Sequence, residues 1–67
     1  MFEGFLINII VMVTPFCEPN TADKVQECVQ WMIEYIEQDK EEYPHLTLEG
    51  HIENASENIP LHLMPRG

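Results

Sequence analysis

From Phe5 to Val13 the chain reads Phe-Leu-Ile-Asn-Ile-Ile-Val-Met-Val, with Asn8 its one polar interruption. β-Branched residues are frequent and no polar face recurs at helical spacing, a pattern that predicts a strand. Phe5, Ile7, Ile9, Val11 and Val13 fall on one side of it. Leu6, Asn8, Ile10, Met12 and Thr14 fall on the other. Both sides are therefore largely apolar, and a strand of that kind is normally covered on both. Thr14 to Pro19 follows as a stiff connection, because Pro15 and Pro19 each fix φ and remove a ladder donor.

The next segment changes period. Val25, Cys28, Val29, Met32, Ile33 and Ile36 recur as the i, i+3, i+4, i+7 stripe of an amphipathic helix. Asn20 or Thr21 is placed to cap it, and Asp23 sits in the first turn, where a carboxylate suits the dipole. Pro44 disfavours helix at Tyr43, so the helix is expected to end near Glu42. Trp31 and Tyr35 lie one turn apart at the edge of the stripe. From His45 to Glu53 the pattern alternates, with Leu46, Leu48 and Ile52 inward and Thr47, Glu49, His51 and Glu53 outward. Asn54–Asn58 reads as a polar turn. Ile59, Leu61 and Leu63 resume the alternation, and Pro60 assigns that last strand to a sheet edge. The expected fold is α+β: a single β-α-β-β domain over residues 1–67, with one helix packed on one face of a three-stranded, mainly antiparallel sheet.

Charge sharpens this picture. Twelve Asp and Glu stand against three Lys and Arg, a formal net charge of -9 in 67 residues. Lys24, Lys40 and Arg66 are scattered, and phosphate recognition needs clustered cations, so direct binding to nucleic acid or an anionic membrane is not expected. The run Phe5–Val13 is too short to span a bilayer as a helix. The opening Met-Phe-Glu lacks the basic residues of a signal peptide, and the expected setting is cytoplasmic. Cys17 and Cys28 are too few for a disulfide scaffold and sit in no metal-type pair. A bridge between loop and helix is one arrangement, and free thiols packed as small hydrophobes the favoured one.

Catalytic chemistry finds little support. Ser56 lies in the predicted turn outside any nucleophile motif, and Cys28 falls on the buried stripe. His51, His62 and Glu49 would come together on a hairpin as a possible zinc set, but a cross-strand Glu–His pair explains them more simply, and neither metal nor cofactor is assigned. No Gly-rich turn opens the helix to cradle a phosphate.

The carboxylates of the helix are the feature that needs a reason. Asp23, Glu27, Glu34, Glu37 and Glu41 all fall on the side away from the apolar stripe, followed by Glu42. Asp23/Glu27 and Glu37/Glu41 are like-charge i, i+4 neighbours, and Asp39, Glu41 and Glu42 crowd the end of the helix where cations are preferred. Conflicts of this kind between local rules tend to mark function. Glu27, Glu34 and Glu41 repeat at about 10 Å along the axis. With Asp23 and Glu37 between them, the spacing approaches the roughly 7 Å between phosphates of a strand. A solvated helix that only keeps the chain soluble would carry the same row.

Two readings result. In the first, the chain is a non-catalytic inhibitor that mimics nucleic-acid charge and occupies the basic surface of a DNA- or RNA-binding protein. In size and charge it is similar to the small acidic host-takeover and anti-defence proteins of phages, whose targets include polymerases, nucleases, CRISPR effectors and histone-like proteins. In the second, it is a structural or adaptor module, a homodimer joined through Leu6, Ile10 and Met12 on the uncovered sheet face, with incidental acidity. Trp31 is either core or an anchor for a partner.

Overall fold

Three α-helices and one 3₁₀ turn carry the chain in the computed structural model, which describes residues 2–65 and side-chain surroundings from Asn8 to Pro65. Helix α1 is Phe2–Cys17, α2 is Ala22–Glu42, α3 is Leu48–Glu57, and the 3₁₀ turn is Leu61–Leu63. No strand occurs among the described residues, so the fold is all-α and the expected β-α-β-β sheet domain is overturned.

Each misassigned segment has a physical reason. Phe5–Val13 lies inside α1, where Ile9, Val13 and Cys17 recur at i, i+4, i+8 and are fully buried. A run apolar on every side satisfies a buried helix as well as a buried strand, and periodicity does not separate them. Backbone accounting does. A helix pairs its own N–H and C=O groups, whereas a strand needs a neighbour, and both candidate neighbours here are drawn into other elements. Pro15 sits in the last turn of α1, where it removes the bond to the Val11 carbonyl, and the Thr14 hydroxyl donates to the carbonyl of Ile10.

The segment expected to be the second strand is mostly α3. Leu46, Leu48 and Ile52 alternate, but Leu48, His51, Ile52 and Ala55 also form a complete helical stripe once His51 is counted inward. Thr47 caps it, accepting the Gly50 N–H at 3.1 Å, and Glu49 occupies the first turn. The expected turn Asn54–Asn58 continues that helix to its C-cap at Asn58. Pro60, at φ -60°, introduces the 3₁₀ turn in place of a sheet edge.

Helix α2 follows its sequence signals. The Thr21 hydroxyl accepts the Lys24 N–H at 3.3 Å, Asp23 lies in the first turn, and the helix stops at Glu42 ahead of Pro44. It is the central element: α1, α3 and the 3₁₀ turn all pack on it. The core is Ile9, Val13 and Cys17 from α1, Cys28, Met32 and Ile36 from α2, Ile52 and Ala55 from α3, and Ile59 and Leu63 beyond it. The molecule measures 32 × 25 × 14 Å over its Cα atoms, and its shortest dimension is that of two packed helices.

Cys17 and Cys28 form a disulfide with Cα atoms 5.9 Å apart, and both residues are fully buried. The expectation of free thiols is corrected. The short connection between α1 and α2 folds the chain back, so the last residue of α1 meets a core position of α2. That juxtaposition depends on helix register, which cysteine spacing does not reveal. Among the described residues, no helix is long and apolar enough to cross a membrane.

Candidate functional site

Asp23, Glu27, Glu34, Glu37, Glu41 and Glu42 are all exposed along α2, on the side away from its buried stripe. None of them forms an ion pair among the described residues. Lys24 is turned elsewhere: its ammonium donates to the carbonyl of His62 at 3.1 Å. Helix α3 adds a second exposed row, Glu49, Glu53 and Glu57, at strict i, i+4 spacing. Sequence reasoning missed it, because assigning Glu49 and Glu53 to a strand hid the helical repeat they share with Glu57.

Asp39 departs from the expectation that it crowds the acidic helix end. It is 5% exposed, and its Oδ2 lies 2.6 Å from Nδ1 of His51, itself 3% exposed. Asn54 Nδ2 donates to the same oxygen at 3.3 Å. The hydrogen bond from His51 holds the Asp39 carboxyl below its usual range, against burial, which alone would raise it; Asn54 and the positive character of the imidazole add to the effect. The pair ties α2 to α3, and His51 lines a small cavity of about 230 Å³ with Lys40, Pro44, Leu46 and Leu48.

The considered metal set does not assemble. His51 is buried against Asp39, Glu49 is exposed on α3, and His62 lies on the 3₁₀ turn, so the cross-strand pairing of Glu49 with His62 has no sheet to support it. No group of three or more His, Cys, Asp or Glu side chains suited to a metal occurs among the described residues.

Of the residues expected at a dimer interface, Ile10 and Met12 do not share one face. Ile10 is 41% exposed, Met12 packs against the core, and the side chain of Leu6 lies outside the described residues. A helix turns residues i and i+2 to nearly opposite sides, whereas a strand aligns them. Val11, 66% exposed, and Phe16 join Ile10 as apolar surface on α1.

Aromatic groups gather on one flank of α2. Trp31 stacks on Tyr35 with ring centroids 5.3 Å apart, and Asn58 Nδ2 donates to the Tyr35 hydroxyl at 3.1 Å. Burial, then the negative charge of Asp39 and Glu42, raises the Tyr35 phenol above its ordinary range. Trp31 also lines a groove of about 340 Å³ with Glu27, Gln30, Glu34, Pro60, His62 and Leu63. The far wall of this groove is held in place: Asn20 Nδ2 reaches the carbonyl of Met64 at 3.2 Å, and Lys24 holds that of His62.

No protein-family model matches the chain, and neither the curated proteins nor the solved structures contain a match to it.

Proposed function

We propose that this chain is a non-catalytic acidic binding protein that occupies the basic, nucleic-acid-binding surface of another protein. The observation that supports the reading is the exposed carboxylate row of α2, whose Asp23, Glu27, Glu34, Glu37, Glu41 and Glu42 form no ion pair among the described residues. Folding thus leaves in place the like-charge cost that the row imposes on its own helix. A surface of that sign attracts a cationic groove, speeds encounter, and loses strength as salt rises. The partner is a basic protein, and no cofactor is needed.

The test is displacement. Purified basic DNA-binding proteins, loaded with a labelled duplex, are titrated with this protein, and release is followed by anisotropy at low and physiological salt. Release is expected at low salt and weakened at physiological salt. The variant with Glu27, Glu34, Glu37 and Glu41→Gln should lose at least about tenfold in potency. Equal potency of that variant would remove the reading.

The second reading, a homodimeric adaptor, is favoured by the exposed Ile10 and Val11 on α1. Light scattering that returns a dimer for the native chain and a monomer for Ile10→Glu would support it. A cytoplasmic setting belongs to the first reading. It requires the Cys17–Cys28 bridge to persist where intracellular disulfides are rare, and the full burial of both residues closes it to thiol exchange in the folded state. Alkylation of thiols in acid-quenched cells is expected to leave both cysteines unlabelled.

A further inference from the structure

The groove beside Trp31 has a composition that the carboxylate row alone does not explain. Glu27 lies four residues before Trp31 and Glu34 three residues after it, about 6 Å and 4.5 Å along the helix axis. Both carboxylates line the same concavity as the indole, and neither has an ion-pair partner among the described residues. Pro60 and Leu63 supply an apolar wall opposite, and the Tyr35 stack fixes the plane of the indole. The Lys24 ammonium is directed to the carbonyl of His62.

The geometry points to a seat for an arginine side chain presented by the partner. A guanidinium is planar, stacks on an aromatic ring, and offers paired N–H donors that match a carboxylate, while its aliphatic stem packs against apolar surface. The groove holds a complement to each part: the indole for the plane, Glu27 and Glu34 for the donors, Pro60 and Leu63 for the stem. A lysine ammonium would use the charge but not the planar match. This inference rests on the proposed function, since it names the group through which a basic partner is gripped. It differs from that proposal in requiring two particular carboxylates and the indole.

Trp31 is the only tryptophan, so its fluorescence reports the groove directly. The probe is a short capped peptide, Gly-Gly-Arg-Gly-Gly, compared with peptides carrying citrulline or lysine in place of arginine. The arginine peptide should give a saturable change in Trp31 emission. The citrulline peptide, isosteric but uncharged, should give none, and the lysine peptide should bind several-fold more weakly than arginine. Glu27→Gln with Glu34→Gln, both exposed positions that leave Trp31 in place, should weaken arginine binding about tenfold. Circular dichroism confirms that this variant is folded, and Glu49→Gln with Glu53→Gln, exposed on α3 and outside the groove, serves as the control that should not change peptide binding. Equal responses to arginine and citrulline, or equal loss in both double variants, would overturn the groove while leaving the charged row intact. Peptide binding without duplex displacement would keep the groove and remove the mimicry.

Discussion

Asp39 is polar by type and buried by position, and the conflict is resolved by His51, twelve residues further on. Neither side chain reveals this in the sequence. Asp39 reads as one more carboxylate at an acidic helix end, and His51 reads as an outward position in an alternating segment. Together they place a hydrogen-bonded pair where α2 crosses α3; removing Asp39 would leave His51 buried without its partner, and removing His51 would leave the buried Asp39 carboxylate with the longer Asn54 bond alone. The pair makes a pH prediction. Because the folded state lowers the Asp39 carboxyl below its ordinary value of 3.8, its stabilising contribution is complete above that pH and is lost as pH falls through the lowered value. Urea midpoints measured down a pH series should therefore fall more steeply for the native chain than for Asp39→Asn. Near neutral pH the variant should be the less stable of the two. Parallel profiles would mean that the pair carries no linkage.

At the level of elements, legibility followed the number of independent signals. Helix α2 had a cap, an apolar stripe and a proline stop, and it appears with the boundaries those signals imply. Helix α1 had only an apolar run, which a helix and a strand share. Helix α3 had a cap at Thr47 and a stripe at Leu48, His51, Ile52 and Ala55, but assigning His51 to the outside broke the stripe. Thr47→Ala should cost about 1 kcal/mol by removing the cap on Gly50, measurable as a lower denaturant midpoint. The junction of α1 with α2 is where a covalent link adds most. The Cys17–Cys28 bridge closes a loop with a sequence separation of 11, which restricts the unfolded chain by roughly 3 kcal/mol. Paired Cys17→Ser and Cys28→Ser changes should lower stability by that order in chemical denaturation, and reduction of the native protein in denaturant should lower its refolded stability equally.

Across the whole molecule, the candidate site was more legible than the fold around it. The carboxylates of α2 were assigned to an exposed helix face and are found there, because α2 itself was correctly read. The row on α3 and the wall of the Trp31 groove were not visible, since both depend on how distant segments pack. A net charge of -9 on so small a body opposes folding by self-repulsion. Raising salt from low to physiological levels should therefore raise the melting temperature, and the Glu27, Glu34, Glu37, Glu41→Gln variant should show a smaller rise. Calorimetry at matched pH measures both. The charge is also unevenly shared. From Gly4 to Cys17, helix α1 contains no Asp, Glu, Lys, Arg or His, while α2 and α3 hold the exposed carboxylates of the described residues apart from Glu18. A body with its charge gathered to one flank feels torque as well as attraction near a cationic surface. It would swing α2 and α3 to the front before touching and trail α1 behind, so that a bound molecule presents a neutral, greasy back to whatever arrives next.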